Sequence, residues 1–288
     1  MIAVFKREFK SYFNNMLGYI VIAGTLLLVA FYFYSTNLVN GQPKFEYTLI
    51  DASGFLFTLV IPLLTMKSFA EDRRQKSDQL LLTSPLSVPQ IVIGKYLGTL
   101  AVFGIAVLFL LPYPLILGIM GKVNYLTAYS GLVGYFFLCA ALSAIGIFMS
   151  SLTENQIISA LSSLCVMLFL TMVPLIASKI PSSALVNYII FTVIAVAFVI
   201  GIYALTKNFT VAAIFAVVVE GVLIFLYRLH PAVLENSVAD LMGHLAIFDQ
   251  MMTLAYGLFD ITTLVYYVSV AALFIFFTTQ SNEKRRWS

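Results

Sequence analysis

Eight long apolar runs follow one another along this chain, and short polar stretches separate most of them. A helix needs about 20 consecutive apolar residues to cross a bilayer, and each run is close to that length. Charged residues make up only 10% of the chain, whereas soluble domains carry about 25%. The sequence therefore predicts an all-α polytopic membrane protein, with residues 1–288 forming a single transmembrane domain. The predicted spans are Leu17–Leu38, Ala52–Phe69, Tyr96–Met120, Leu126–Ser150, Gln156–Ser178, Val186–Thr206, Phe209–Tyr227 and Ile261–Thr279.

The distribution of lysine and arginine between the spans predicts the orientation of the chain. Positive residues near the ends of spans favour the cytoplasmic side. With the amino terminus inside, twelve of the 16 Lys and Arg residues fall on the inner side and four on the outer side. Both termini are therefore expected in the cytoplasm. The inner residues are Lys6, Arg7, Lys10, Lys67, Arg73, Arg74, Lys76, Lys95, Lys207, Lys284, Arg285 and Arg286, and the outer ones are Lys44, Lys122, Lys179 and Arg228.

Residues 2–14 have the pattern of an amphipathic helix. Ile2, Phe5, Phe9 and Phe13 recur at steps of three and four residues, and basic residues occupy the other side. Aromatic and basic side chains favour the headgroup layer of a membrane. We therefore expect this helix to lie on the inner membrane face, in contact with the lipid bilayer, before the first span begins.

The charged segment after the second span is expected to contain a short cytoplasmic helix, residues 71–84. Acidic residues at its start suit the helix dipole, and Thr83-Ser84-Pro85 stops it. Three leucines near its end favour a protein groove or the membrane over open water. The candidate contact residues for a cytoplasmic partner are Glu71, Asp72, Arg73, Arg74, Leu80, Leu81 and Leu82.

Three further features locate bends and loops. Leu111-Pro112-Tyr113-Pro114 must kink or break the third span near its outer end, and Gly94 and Gly98 at the base of that span allow close helix contact. The link between the fourth and fifth spans is short and cytoplasmic, which makes Glu154 and Asn155 a second, smaller docking point. The outer segment 229–260 mixes polar and apolar residues, as short amphipathic helices do.

The chain lacks the motifs that would let it capture energy itself. No Gly-x-x-x-x-Gly-Lys-Ser/Thr phosphate loop occurs, and no catalytic or metal-binding pattern appears. Glu220 stands nearly alone inside a span, as either a functional intramembrane polar site or a packed carboxyl bonded to a neighbouring helix. Ion-coupled carriers usually place several charges within their spans. These observations favour a membrane subunit without cofactor that borrows its energy from a separate nucleotide-hydrolysing subunit.

In the order and spacing of its motifs the chain resembles the ABC-2-type permeases, which are membrane subunits of ABC transporters. It is most similar to the branch that contains the permeases of gliding motility and of nitrous-oxide-reductase maturation. The residues that carry the resemblance are Lys6–Phe13, Pro62–Met66, Glu71–Ser87, Ile91–Lys95, Tyr113–Pro114, Ser150–Gln156 and Arg285–Trp287.

The resemblance implies a type V exporter-like transmembrane domain and gives its segments roles. Residues 2–14 resemble the elbow helix, residues 71–84 the coupling helix that inserts into the ATPase, and 150–155 a second coupling loop. The resemblance also implies a bacterial cytoplasmic membrane, a second permease copy or homologue, an ABC ATPase subunit that holds ATP and Mg, and export rather than import. An extracytoplasmic accessory protein fits the same pattern, and no nucleic acid is expected.

One departure from the family leaves other functions open. The family core has six spans, and the hairpin 186–227 adds two, which leaves the role of Glu220 unassigned. The alternatives are a secondary carrier or flippase coupled through Glu220, and a non-transporting membrane coupler of a surface machine. The sequence identifies no substrate.

Overall fold

The computed structural model describes residues 1–77, 86–255 and 260–287, and every regular element in these ranges is helical. Seven helices are long and apolar enough to cross a membrane, or eight if one bent pair counts as a span. That pair, Phe45–Phe55 and Phe57–Arg74, is bent by 57° and contains the second predicted span. The described residues therefore confirm the prediction of an all-α polytopic membrane protein.

The chain divides into two compact units. The first unit contains Met1–Thr171 and Ile247–Ser288, and the second contains Met172–Ala246. The helices are α1 (Ile2–Asn14), α2 (Leu17–Tyr32, continued by the π-helical Phe33–Val39), α3 (Phe45–Thr65), α4 (Ala70–Arg74), α5 (Val88–Leu110), α6 (Tyr113–Met120), α7 (Tyr125–Leu152), α8 (Gln156–Ala177), α9 (Ala184–Thr206), α10 (Phe209–Leu229), α11 (Pro231–Leu234), α12 (Ser237–Leu245), α13 (Gln250–Ala255) and α14 (Ile261–Trp287).

In the first unit α7 is the most buried of the seven long helices. Its side chains pack with those of α3 and α14 in one apolar core, where the Phe57 and Tyr135 rings lie 4.7 Å apart. The predicted break in the third span is confirmed, because α5 ends at Leu110 and α6 begins at Tyr113. Proline at the start of α6 suits a first helical turn, which needs no backbone donor there.

The second unit contains the predicted hairpin of α9 and α10. Lys207 adopts a left-handed conformation with φ of 51° and ends α9. The Asn208 side chain then accepts a hydrogen bond from the Thr210 amide (3.0 Å) and caps α10. Two short helices, α11 and α12, follow α10 in this unit, while α13 belongs to the first unit. The described residues of the 229–260 segment thus contain the three short helices α11, α12 and α13.

Candidate functional site

The charged segment after the second span contains a helix that is shorter than the predicted 71–84. Helix α4 ends at Arg74, and Lys76 then takes a left-handed φ of 57°, which breaks the helical path. Glu71 and Asp72 occupy the first turn and Arg73 and Arg74 the last, as the helix dipole favours. Residues 78–85, with the predicted contacts Leu80, Leu81 and Leu82, lie outside the described residues.

Asp72 joins a group of four charges, which we call the ionic cluster: Arg7, Glu8, Asp72 and Lys95. The Lys95 ammonium lies 2.7 Å from Glu8 Oε1 and 2.6 Å from Asp72 Oδ2. It also donates a hydrogen bond to the Ser68 carbonyl oxygen. Arg7 Nη2 contacts both carboxylate oxygens of Asp72 at 3.1 and 3.0 Å and Glu8 Oε1 at 3.2 Å. The cluster therefore connects α1, α4 and α5.

Two members of the ionic cluster are buried, which makes its charge balance important. Lys95 is only 1% exposed, and Glu8 is also buried. An unpaired charge in such a place has a large desolvation cost, so buried ions must be neutralised by close partners. Two cations and two carboxylates meet here, and their formal charges cancel. The position of α4 is therefore tied electrostatically to both α1 and α5.

Helix α1 lies against α5 at Gly94 and Gly98, the pair that was predicted to allow close helix contact. A Cβ atom added at Gly98 would lie 2.9 Å from the Glu8 Cβ atom, and one at Gly94 would lie 2.9 Å from the Val4 Cβ atom. The Tyr12 hydroxyl contacts Thr99 Oγ1 at 3.0 Å. The prediction of close helix contact at this glycine pair is confirmed. The close approach is what brings Glu8 within reach of Lys95.

Two further contacts attach α4 to the ends of α7 and α14. The Ser150 hydroxyl accepts hydrogen bonds from the amides of Phe69 and Ala70, both at 3.1 Å, and donates to the Met66 carbonyl (3.1 Å). Ser150 is buried, so it satisfies amides that water does not reach. This residue holds the turn between α3 and α4 against α7.

Arg73 makes the corresponding contact with α14. Its Nη2 atom donates to Asn282 Oδ1 at 3.0 Å, and the Asn282 amide donates to the Thr278 carbonyl at 2.7 Å. Both Arg73 and Asn282 are buried. Helix α4 is thus held at once by α1, α5, α7 and α14, so a displacement of α4 is resisted by contacts with all four.

Replacing Ser150 by alanine is expected to lower the free energy of unfolding by about 1–3 kcal/mol, because the amides of Phe69 and Ala70 lose their buried acceptor. Ser151→Ala is the matched control, since among the described residues the Ser151 hydroxyl bonds only to the Phe148 carbonyl of its own helix. Thermal unfolding of the purified variants measures the difference. Equal melting temperatures for the two variants would contradict the role given to Ser150.

The second predicted docking point lies at the start of α8. The Asn155 side chain accepts a hydrogen bond from the Ile157 amide (2.9 Å), which caps this helix. Glu154 forms an ion pair with Arg285 near the end of α14. Both Glu154 and Asn155 are exposed. This loop and α4 therefore both contact α14, through Arg285 and Asn282.

The structure separates the predicted contact residues into two groups. Arg74, Glu154 and Asn155 are exposed, although Glu154 is paired with Arg285. Glu71 and Asp72 are half-buried and Arg73 is buried, and Asp72 and Arg73 bind Lys95 and Asn282. The residues that sequence reasoning missed are Arg7, Glu8, Lys95, Ser150 and Asn282. The sequence contains two signals for such contacts. Lys95 lies near the beginning of an apolar span and Glu8 lies in an amphipathic helix, and a charge in either place needs a partner when it is buried.

Glu220 lies in the α9–α10 hairpin of the second unit. The Tyr188 hydroxyl donates a hydrogen bond to Glu220 Oε1 (2.5 Å), and Thr192 Oγ1 lies 3.5 Å from the same oxygen. The Tyr188 ring stacks on the Tyr227 ring with a centroid distance of 5.1 Å. This geometry agrees with the second of the two alternatives for Glu220, a packed carboxyl bonded to a neighbouring helix. In the part of the chain that the structure describes, no group of three His, Cys, Asp or Glu residues could hold a metal ion.

The helical fold and the long apolar helices define a polytopic membrane protein whose polar contacts converge on α4. A comparison with protein families finds the ABC-2 family transporter protein over residues 11–184, which is 174 of the 288 residues. The chain belongs to this family, whose members are membrane components of transporters rather than catalytic enzymes. No curated protein sequence matches the chain significantly.

Proposed function

We propose that this protein is the permease subunit of an ABC transporter, which moves its substrate with ATP hydrolysed by a separate ATPase subunit. The ATPase docks at the exposed surface of the 70–77 segment and at Glu154 and Asn155. ATP and Mg bind to the ATPase and not to this chain. Export is the favoured direction, and the functional unit contains two permease copies. The resemblance to the gliding-motility and nitrous-oxide-reductase-maturation branch is compatible with an extracytoplasmic accessory protein.

The observation that carries the proposal is the attachment of α4 to four other helices. A partner that moves α4 would also move α1 and α5 through the ionic cluster, α7 through Ser150 and α14 through Asn282. Discrete, well-packed contacts transmit a displacement, whereas a loosely attached loop would absorb it. This arrangement suits a protein whose energy source is on a neighbouring subunit.

The same contacts support the proposed orientation in a bacterial cytoplasmic membrane. The distribution of charge assigned four basic residues to the inner side: Arg7, Arg73, Lys95 and Arg285. Each of them makes a polar contact with another inner segment. Segments that touch one another must lie at the same membrane surface. We therefore place both termini, α4 and the Glu154 loop in the cytoplasm.

Co-purification tests the proposed function. The chain is expressed with each phosphate-loop ATPase encoded beside it, and the complex is isolated and reconstituted in phospholipid vesicles. We expect a stable complex whose ATP hydrolysis changes when the permease is present. Recovery of the permease without any ATPase, from every such pair, would contradict the proposal.

Charge reversal at Arg74 is expected to weaken ATPase binding by about tenfold or more, since a central arginine in an interface commonly contributes this much. Arg74 is exposed at the end of α4, so Arg74→Glu should leave the fold intact. Lys122→Glu is the matched control, because Lys122 is also exposed but was assigned to the outer side. Titration of the ATPase onto the immobilised permease measures both affinities. Equal losses for the two variants would exclude Arg74 from the interface.

The carrier alternative is tested at Glu220. We expect Glu220→Gln to change ATP-driven activity by less than about twofold, because an amide can still accept the Tyr188 hydrogen bond. A carrier coupled through Glu220 would lose transport completely when the carboxyl is removed. Solute uptake into vesicles that contain the permease, with and without the ATPase, separates these results. The absence of any transported solute would favour the non-transporting coupler.

A further inference from the structure

A polar cavity of about 410 Å³ lies between α1 and the 67–77 segment. Its walls include Arg7, Ser11, Lys67, Ser68 and Glu71, and it reaches Leu17 at the start of the first span. The volume lies within the range of small-molecule sites, about 300–1,000 Å³. Because α1 has the pattern of an interfacial helix, a cavity that opens beside Leu17 is at the depth of lipid headgroups.

The lining of this cavity has hydrogen-bond donors that no group in the described residues uses. The Ser68 side chain is 2% exposed, and its hydroxyl has no hydrogen-bond partner among the described residues. Buried hydroxyls are seldom left without a partner. A rotation of the Ser68 side chain toward the cavity would let its hydroxyl donate to a ligand there. Every Arg7 contact in the described ranges uses Nη2, which leaves the Nη1 and Nε hydrogens to bind an acceptor in the cavity.

Two charges of opposite sign remain after the ionic cluster is neutralised. Lys67 and Glu71 both line the cavity, and they stand four residues apart. This spacing often produces an ion pair in a helix, yet within the described residues none joins Lys67 to Glu71. Glu71 instead accepts a hydrogen bond from the Gln75 side-chain amide (3.1 Å). The cavity therefore offers a cation and an anion that can each bind a charge of a ligand.

We infer that this cavity binds the headgroup of a zwitterionic phospholipid with a primary ammonium, such as phosphatidylethanolamine. The phosphate accepts hydrogen bonds from Lys67, the Ser68 hydroxyl and Arg7, and the ammonium binds Glu71. Charge-assisted hydrogen bonds of this kind are the strong ones, and both signs must be matched in a partly buried site. A bound lipid would then contact α1 and the segment that leads into α4 simultaneously. This site goes beyond the proposed function and can be tested on the permease alone.

Native mass spectrometry of the purified chain provides the test. The detergent-solubilised protein is mixed with phosphatidylethanolamine, phosphatidylglycerol, phosphatidylcholine or diacylglycerol, and the retained lipid is counted. We expect phosphatidylethanolamine to bind about tenfold more tightly than phosphatidylglycerol, which lacks the ammonium, and diacylglycerol not to be retained. Phosphatidylcholine should also bind less well, because its quaternary ammonium has no hydrogen to donate to Glu71. Equal retention of all four lipids would overturn the inference.

Three variants and one control locate the site. Lys67→Gln and Ser68→Ala are expected to weaken phosphatidylethanolamine binding, the first by about tenfold. Glu71→Gln should remove the preference over phosphatidylglycerol. Lys10→Gln changes an exposed lysine of α1 outside the cavity lining and should have no effect. Circular dichroism and melting temperatures establish that each variant is folded, and unchanged binding in folded Lys67→Gln and Ser68→Ala would overturn the inference.

The source of the phosphate group is resolved by soluble competitors. Inorganic phosphate and glycerophosphoethanolamine share the headgroup chemistry but lack acyl chains. We expect neither to displace the bound lipid at equal concentration. Displacement by either compound would show that the cavity takes a soluble phosphate ligand, which would overturn the assignment to a membrane lipid.

Discussion

Replacing Lys95 by methionine is expected to lower the free energy of unfolding by about 3–5 kcal/mol, the usual cost of removing one partner from a buried ion pair. The ammonium lies 2.7 Å from Glu8 and 2.6 Å from Asp72, and the side chain has no access to solvent. Without it, Arg7 can neutralise only one of the two carboxylates. Thermal and denaturant unfolding of the purified chain in detergent measure the loss.

A second substitution tests whether charge is the cause. In the double variant Lys95→Met with Glu8→Gln, Arg7 and Asp72 remain as one cation and one anion. We therefore expect the double variant to be more stable than Lys95→Met alone. Lys10→Met serves as the control for an exposed lysine and should change stability by less than about 0.5 kcal/mol. If Lys95→Met is as stable as Lys10→Met, the ionic cluster does not hold α1, α4 and α5 together.

Substitution of Gly98 by alanine is expected to destabilise the protein by about 1–3 kcal/mol, because overpacking at a close contact forces the backbone to move. The new Cβ atom would lie 2.9 Å from the Glu8 Cβ atom. Relief of this contact requires α1 to move away from α5, which also pulls Glu8 from Lys95. The distance between spin labels at the exposed positions Lys10 and Leu108 should therefore increase.

Gly104→Ala is the matched control in the same helix. Its added Cβ atom would meet only the Phe136 ring edge, at an ordinary 3.8 Å. Alanine has a higher helix propensity than glycine by about 1 kcal/mol, so this variant should be neutral or slightly more stable. The two alanine substitutions are thus expected to have opposite signs. A destabilisation of equal size at both positions would show that Gly98 has no special packing role.

The outline of the fold followed from local sequence signals. The lengths of the apolar runs predicted the spans, and Pro112 and Pro114 predicted the break between α5 and α6. The pattern of residues 2–14 predicted a helix with an aromatic and a basic side. The structure adds a third side to this helix, where Val4, Glu8 and Tyr12 are buried against other parts of the chain. Periodicity alone could not assign that side, because it contains one acidic and two less polar residues.

The site was harder to predict because its partners are far apart in sequence. Glu8 and Lys95 are separated by 87 residues, and Arg73 and Asn282 by 209. Charged residues in a loop are usually exposed to solvent. Asp72 and Arg73 were therefore expected at the surface, where a partner protein could contact them. The burial of Arg73 and the partial burial of Asp72 become favourable only when distant partners satisfy them. The predicted helix 71–84 also had no sequence signal for the left-handed residue Lys76.

The proposed function requires that the surface formed by α4 and the Glu154 loop receives the ATPase. Site-specific photo-cross-linking in the reconstituted complex tests it most directly, with the cross-linker placed at Arg74, at Asn155 or at Lys122, which are all exposed. We predict cross-links to the ATPase from positions 74 and 155 and none from position 122. Cross-links from position 122, or none from 74 and 155 in an intact complex, would contradict the account.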